Sequence, residues 1–378
     1  MVAKQRAAHV TTVHNPLDPR IYRKEIATLR AASYETWLIA RDTPGRDPDP
    51  FFLGVSDGRG LWDRLRRHVQ SLRHIHALRP RVVHIHDPEL IPLAYLARAM
   101  VGCKVIYDMH EDYAGRRQLG GRLLRVLERW CFRWVDHVIL AEASYESILR
   151  GRSTPSTPVL NYVLPPHRLG PDKRSGGLTL IYTGTISNSR GLSHMLDLAA
   201  EIKRAGLDWR MKIVGVSHIP AERARAEQRI AREGLDSVLE RVGWDRYVPW
   251  SEIVAQYADA HLGLALFEPL PNHVDSLLSK FYEYIYFGQP VIHSDFPLWR
   301  AFFETNGCGA SVDPTVPGGV LKTIEGLING PRLEEMENAT RAVREEYVWS
   351  NMESRLVGVY ADLLAVSSHE LDRTAVQS

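Results

Sequence analysis

Cysteine is scarce in this 378-residue chain: Cys103, Cys131 and Cys308 are odd in number and far apart. They supply neither a disulfide framework nor the paired spacing of a zinc site, and they fit a reducing cytoplasm. No apolar run approaches the roughly 20 residues that a bilayer-crossing helix needs. Met1 to Ala8 is basic but leads straight into a strand-like run, so it does not read as a signal peptide. A basic stripe with aromatic stacking platforms is also missing, which argues against nucleic-acid binding.

What is present is the composition of an ordinary globular protein, 44% hydrophobic and 24% charged, long enough for two or three domains. The net charge of +2 is unevenly spread: residues 1–166 hold 25 Lys and Arg against 17 Asp and Glu, the remainder 22 against 28. A basic first half beside an acidic second half hints at an anionic partner for the first.

Apolar, β-branched runs alternate with helical patterns. Strands are expected at His9–Val13, Thr36–Ala40, Val82–His86, Lys104–Asp108 and His137–Leu140, with helices at Arg20–Ala31, Leu61–Leu78, Leu90–Met100, Leu119–Val135 and Ala143–Leu149. Such alternation predicts a doubly wound parallel sheet. Leu164 to Gly177, crowded with proline, glycine and charge, reads as a linker. The pattern then restarts, with strands at Leu178–Tyr182, Met211–Val214, Val238–Val242, Leu262–Leu266 and Pro290–His293. Helices follow at Ser189–Ala205, Pro220–Gly234, Ser251–Ala258 and Leu277–Phe287, and the tail from about Arg332 to Ala365 is helical. Ligands of this fold class bind at the carboxyl ends of the strands.

The most informative stretch runs from Pro271 to Ile292. A polar loop enters a short helix that stops at Gly288, and an apolar strand follows. Asp275 and Glu283 bracket Ser276, Ser279 and Lys280. A helix N-terminus suits a phosphate, and an acid further along can accept hydrogen bonds from sugar or ribose hydroxyls. That combination fits a nucleotide-sugar site. Alternatively Asp275 is a helix cap, and Glu283 an exposed acid paired with Lys280 three residues earlier.

This segment resembles the donor-binding signature of retaining GT-B glycosyltransferases of family four: an acid, seven residues, a Glu, a small-residue turn and Pro-Val-Ile. Here Asp275 stands where the family's first acid is usually Glu. The resemblance implies an α/β GT-B architecture of two facing Rossmann-like domains with a cleft between them. Residues 1–168 would form the acceptor-side domain and 176–345 the donor domain. Residues 346–366 would form a helix crossing back to the first domain, with Trp349 and Tyr360 packing. It further implies that Glu283 holds the ribose hydroxyls, Asp275 touches the donor sugar, and Ser276 and Ser279 present hydroxyls or N–H groups to the diphosphate.

In the turn Tyr182 to Gly191, Gly184-Thr185 replaces the family's first Gly-Arg pair, and Arg190-Gly191 matches the second pair with Arg for Lys. Arg190 would grip the diphosphate, and Lys280 would supply the missing cation. The bland alternative is a capped helix with a solvated Arg. Gly215 and Trp244 end two strands where a nucleotide base can lie; equally, these are ordinary turns with a packing Trp.

In the first half, His14 to Ile21 lacks the family's glycine-rich loop and resembles a subgroup reading Asp-x-Arg before the helix. Arg20 would face an anionic group in the cleft, or simply belong to a helix start at Asp18-Pro19. His84 and His86 lie two apart, on one face of a strand. His86, Asp87, His110, Glu111 and Asp112 are all metal-ligand types, but their spacing matches no recognised metal motif and the resemblance implies a metal-independent enzyme. It places His110 near the donor sugar and reacting centre, with His86, Glu111 and Asp112 on the acceptor side. His84 reads as a satisfied core residue. Residues 116–134 form a basic amphipathic pattern that fits either an anionic membrane surface or a core-packed helix.

Together these readings predict a retaining, metal- and cofactor-independent sugar transfer from a nucleotide diphosphate sugar, UDP favoured and GDP possible. The acceptor would be a sugar, lipid-linked or small-molecule hydroxyl. A nucleotide-sugar epimerase of the same architecture and a non-catalytic sugar-nucleotide binding protein are the alternatives. The protein is expected in the cytoplasm, free or peripheral to the membrane's inner face.

Overall fold

The computed structural model describes residues 5–42, 49–58, 60–110, 132–149, 151, 153–166 and 176–375. The chain divides into two compact units, Met1–Asn161 with Trp349–Ser378, and Tyr162–Val348.

The first unit is built on β1 (Arg6–Val10), β2 (Glu35–Arg41), β3 (Phe52–Val55), β4 (Val82–Ile85), β5 (Lys104–Met109), β6 (His137–Leu140) and β7 (Ser156–Pro158). They form one sheet in the order β3-β2-β1-β4-β5-β6-β7, every pair parallel. All four residues of β4 are buried. Burial at successive positions means both faces are covered, as a parallel sheet requires. The strand order reverses between β1 and β4, so their carboxyl ends open the crevice where ligands of doubly wound sheets bind.

β1 ends earlier than the apolar run suggests. The backbone N–H groups of Thr12 and Val13 donate to the Asp87 carboxylate at 2.5 and 3.2 Å, which turns the chain out of the sheet. The helix that follows begins at Pro19, with the Asp18 carboxylate accepting from the N–H groups of Arg20 and Ile21. The C-terminal helix Ser350–Ala375 belongs to this unit. Trp349 just before it is buried, its indole N–H donating to Thr28 Oγ1 at 2.9 Å, and Tyr360 is fully buried.

The second unit holds β8 (Thr179–Thr183), β9 (Arg210–Val216), β10 (Leu239–Trp244), β11 (Leu262–Ala265), β12 (Val291–Ser294) and β13 (Gly309–Val312). Their order is β10-β9-β8-β11-β12-β13, again all parallel, with the reversal between β8 and β11. Helix Leu192–Ala205 buries Leu192, Met195, Leu196, Ala199 and Ile202, the stripe its period dictates, and stops at Gly206 in the left-handed region. The core is rich in aromatic rings; Phe281 meets Trp299 edge-on at 4.9 Å.

The Pro271–Val274 turn of helix is separate from helix Ser279–Tyr286. Asp275 therefore closes the first and does not cap the second, and it is exposed. Phe281 and Ile285 form the expected buried stripe, but Lys280 is buried with them.

Candidate functional site

In the second unit the turn after β8, the chain after β11 and helix Ser279–Tyr286 meet at the switch point. Lys280 sends its ammonium inward, 4.1 Å from the centre of the Tyr182 ring and 4.6 Å from that of Phe267. It is buried, and its Nζ has no hydrogen-bond partner among the described residues. Burial first, then the nearby Arg190 charge, pushes Lys280 well below the usual lysine range, against a smaller opposing pull from Glu283.

The glycines here are required by the backbone. At Gly184 (φ +124°) a Cβ would come within 3.2 Å of Lys280 Nζ, so the missing side chain leaves the ammonium room. At Gly215 (φ +146°) a Cβ would sit 1.8 Å from the Gly184 carbonyl oxygen, so only glycine lets the two turns touch. The Thr185 carbonyl accepts from the Tyr182 hydroxyl at 2.6 Å.

Arg190 lies in the turn Asn188–Arg190, closed by Gly191 at φ +87°, with its guanidinium carbon 6.0 Å from the Phe267 ring centre. His273 packs its ring edge-on against Phe267 at 4.9 Å and contacts the Glu268 carbonyl through Nδ1. Burial holds His273 below its ordinary range, and the charges of Arg190 and Lys280 add to that. Three basic side chains therefore surround one phenyl ring, an arrangement suited to an anion.

Helix Ser279–Tyr286 has no side-chain cap at its N-terminus, where Ser279 is exposed, and the Ser276 carbonyl accepts the Trp299 indole N–H at 2.8 Å. One turn along, Glu283 accepts the Tyr257 hydroxyl at 2.8 Å, and that hydroxyl also meets Thr183 Oγ1 at 2.8 Å. These contacts fix the orientation of the carboxylate. Trp244 takes the packing alternative and not the base-flanking one. It is buried in the core, its indole N–H donating to the Ile213 carbonyl at 3.0 Å, so it offers no face to a base.

In the first unit the carboxyl ends of β1, β4 and β5 gather ionisable side chains. Arg20 does not face outward. It is 3% exposed and forks onto both oxygens of Asp108, Nε to Oδ2 at 3.0 Å and Nη2 to Oδ1 at 2.9 Å, with Glu25 Oε1 also 3.0 Å from Nε. A guanidinium this deep needs fixed counter-charge, and it finds it within the unit. Burial alone would push Asp108 up, but Arg20 and then His110 outweigh it and hold Asp108 well below the usual carboxylate range. Glu25 goes the other way, driven well up by burial and by the Asp108 charge.

His86 is fully buried rather than open to an acceptor, and its ring stacks on His84 at 4.6 Å, as two residues on one strand face must. His84 contacts the Tyr360 hydroxyl through Nδ1 at 2.9 Å, as a core histidine would, although its Nε2 has no partner. His110 is at the edge of this cluster, its side chain 9% exposed, with Nε2 3.0 Å from Asp108 Oδ2 and 2.9 Å from His86 Nδ1. Asp87, fully buried, accepts from Thr11 and Thr12. Two groupings have ligand-type atoms within reach of one another, His9 with Glu25, His84 and His86, and His86 with Asp108 and His110. Glu111, Asp112 and residues 116–131 lie outside the described residues.

Sequence reasoning missed His9, Glu25, Asp108, His273 and Phe267. His9 had a usable signal, since it pairs across the sheet with His84. The others depend on which way a buried side chain turns.

Residues 19–162 match the family description "Glycosyl transferase 4-like domain", and residues 168–346 match "Glycosyl transferases group 1". The chain belongs to the GT-B glycosyltransferases of the family 4 type. The alpha-D-kanosaminyltransferase of Streptomyces kanamyceticus is 24% identical over 186 residues, covering 49% of this chain and 45% of that protein. The chain thus spans a little under half the length of the curated relative it matches. Among solved structures, sucrose-phosphate synthase from Thermosynechococcus elongatus has a TM-score of 0.74 at 16% identity, covering 96% of this chain and 100% of that one. Anabaena HepE in complex with UDP has a TM-score of 0.71 at 11% identity, covering 95% and 100%. These two likenesses show the shared fold.

Proposed function

We propose that this glycosyltransferase moves a sugar from a nucleotide diphosphate sugar, UDP-sugar favoured, to an acceptor hydroxyl, with retention of anomeric configuration. The observation that carries the reading is the Lys280 ammonium, buried, without a hydrogen-bond partner and close against Gly184. A buried cation left unpaired is costly. A diphosphate placed at the Gly184 turn would supply the missing partner, with Arg190 and the N-terminus of helix Ser279–Tyr286 completing the cradle. The complex of Anabaena HepE with UDP-glucose supports a UDP donor.

In the proposed step the bond from the sugar's anomeric carbon to the leaving phosphate oxygen breaks. The acceptor oxygen bonds to that carbon from the same face, and the acceptor proton passes to the leaving diphosphate. Negative charge grows on the diphosphate, and Lys280 and Arg190 meet it without reorganising. On this reading the charge is met by side chains, so neither a metal nor a cofactor is called for, and the nucleotide sugar is a substrate. Glu283 binds the ribose hydroxyls; Asp275, Ser276, Ser279, Thr185 and Gly215 lie along the donor.

The acceptor is a sugar, lipid-linked or small-molecule hydroxyl. Peripheral contact with an anionic membrane belongs to the same reading. No described helix is long and apolar enough to cross a membrane. Helix Leu61–Leu78, however, exposes Leu61, Trp62, Leu65 and Val69 beside Arg66 and Arg73.

The test is incubation with UDP- and GDP-sugars, following nucleotide release, epimer formation and transfer to added acceptors. Transfer or slow hydrolysis of one donor, with UDP or GDP raising the melting temperature, is expected. Epimer formation without transfer would replace this reading, and so would a nucleotide bound away from Lys280.

A further inference from the structure

The ring nitrogens of the first unit form a continuous line. His110 Nε2 meets His86 Nδ1 at 2.9 Å, and His86 Nε2 meets His9 Nδ1 at 2.9 Å. His9 Nε2 meets the Tyr360 hydroxyl at 3.1 Å, and that hydroxyl meets His84 Nδ1 at 2.9 Å. A neutral imidazole has one N–H and one lone pair, so the direction of donation at one link sets the direction at all the others.

Asp108 sets that direction. Its carboxylate, kept ionised by the Arg20 fork, is 3.0 Å from His110 Nε2 but 3.5 Å from His86 Nδ1. The nitrogen nearer that negative charge gains more from carrying the hydrogen. The two nitrogens also face each other at 2.9 Å, so only one of them can carry a hydrogen. His110 Nε2, the nearer to the carboxylate, is therefore the donor. His86 Nδ1 then accepts, His86 Nε2–H donates to His9 Nδ1, His9 Nε2–H to the Tyr360 oxygen, and the Tyr360 O–H to His84 Nδ1. The line ends on His84 Nε2–H, a buried nitrogen without a partner among the described residues. Between the two ends, every polar atom of the line is satisfied in this direction.

We propose that Asp108 is a positioning residue that locks His110 as its Nε2–H tautomer, so that His110 Nδ1 accepts a hydrogen bond from a hydroxyl of the sugar-bearing substrate. Nδ1 makes no hydrogen bond among the described residues, and His110 is the partly exposed end of the line. The ring of His14, 4.8 Å away, lies alongside that end, and the Tyr145 hydroxyl meets the His110 carbonyl at 3.5 Å. The nature of the ligand rests on the proposed function; the tautomer does not.

Long-range proton–nitrogen correlation spectra of protein labelled with 15N-histidine read the tautomer directly in the wild-type chain at about pH 8. His110→Gln identifies the signal by removing it. A neutral Nε2–H ring is expected at His110. A neutral Nδ1–H ring there would overturn the proposal, and so would a doubly protonated ring. Asp108→Asn presents an amide donor to Nε2 and should move the proton to Nδ1, cutting kcat roughly 10²-fold or more with donor KM little changed. Asp108→Glu should recover part of that loss. In the Asp108→Asn background, His110→Ala should cost little further, whereas full additivity would contradict a shared role. If loss of the Arg20 partner unfolds Asp108→Asn, the wild-type spectrum still decides. A protein with the expected tautomer that turns over no nucleotide sugar would refute the functional reading alone.

Discussion

Lys280 Nζ and Gly184 are placed so that a single added carbon at Gly184 would come within 3.2 Å of the ammonium. Among the described residues that ammonium has no hydrogen-bond partner and lies against the faces of Tyr182 and Phe267. Lys280→Met keeps the volume and removes the desolvation cost. Cation–π contact is worth about 2 kcal/mol at most, less than burial of an unpaired charge. The variant should melt a few degrees higher than wild type, with kcat reduced by orders of magnitude and the stabilisation by UDP lost. Calorimetry with and without UDP checks this; a large fall in melting temperature would mean that the ring contacts outweigh the burial.

Diphosphate binding should also move protons. Burial and Arg190 hold Lys280 well below its ordinary range, and a dianion beside it would raise it again. Between the lowered value and the raised one, binding must take up a proton. Titration calorimetry of UDP in buffers of different ionisation enthalpy should show net proton uptake at pH values between the lowered and the ordinary lysine value. Proton release across that range would contradict the placement of the phosphates.

Gly215→Ala tests the close contact between the two turns. The added Cβ would lie 1.8 Å from the Gly184 carbonyl oxygen, at a φ of +146° that side chains rarely adopt. Either the turn shifts or the variant loses several kcal/mol of stability. Loss of UDP binding with a lowered melting temperature is expected. Gly206→Ala, where φ is +63° but no atom lies within 4 Å, should cost only about 1 kcal/mol and leave UDP binding intact.

How far the sequence discloses all this depends on what each feature rests on. Strands buried on both faces, such as β4 and β8, announce themselves because every position is apolar or tightly packed. The three strands that escape notice, β3, β7 and β13, are all sheet edges, short and partly exposed, where burial imposes little pattern. The segment from Asp275 to Glu283 draws notice in the sequence through its pattern of acids, serines and Lys280, but the burial of Lys280 does not. Nothing in helical spacing says that a lysine two positions into a helix will turn inward between two aromatic rings. Arg20 failed for the opposite reason: its partner Asp108 lies 88 residues away, and only the fold brings them together. For Trp244 the strand-end position leaves a base-flanking and a packing role equally open, and only the fold, which turns the indole N–H to the Ile213 carbonyl, decides for packing.

Acid should destabilise both units before any active-site effect is seen. Burial holds His86, in the first unit, and His293, in the second, at about 4, against about 6.5 for an unfolded histidine. Between those values the unfolded chain binds protons that the folded chain excludes, so stability rises with pH across the window and falls as the pH drops from about 6.5 toward 4. Each group costs about 1.4 kcal/mol per pH unit inside it. The urea midpoint should be flat from pH 8 to 7 and then fall steeply by pH 5. His293→Gln should soften the fall for the second unit alone. A midpoint unchanged between pH 7 and 5 would mean that these rings are not held neutral.

Helix Leu61–Leu78 offers the last test. Its second half buries Ile75 and Leu78 in the ordinary way, but its first half turns Arg67 inward and Leu61, Trp62, Leu65 and Val69 outward. Arg66 and Arg73 on the exposed side match an anionic lipid surface, which adds charge attraction to the burial of the apolar side chains. Liposomes containing phosphatidylglycerol should carry the protein into the pellet at low salt, and phosphatidylcholine alone should not. Trp62→Ser with Leu65→Ser should abolish sedimentation while leaving turnover of a soluble acceptor unchanged, since neither residue is near Lys280 in the sequence or part of its unit. Equal pelleting of the double variant would move the contact to another surface, and no pelleting of the wild type would remove the membrane from the proposed function.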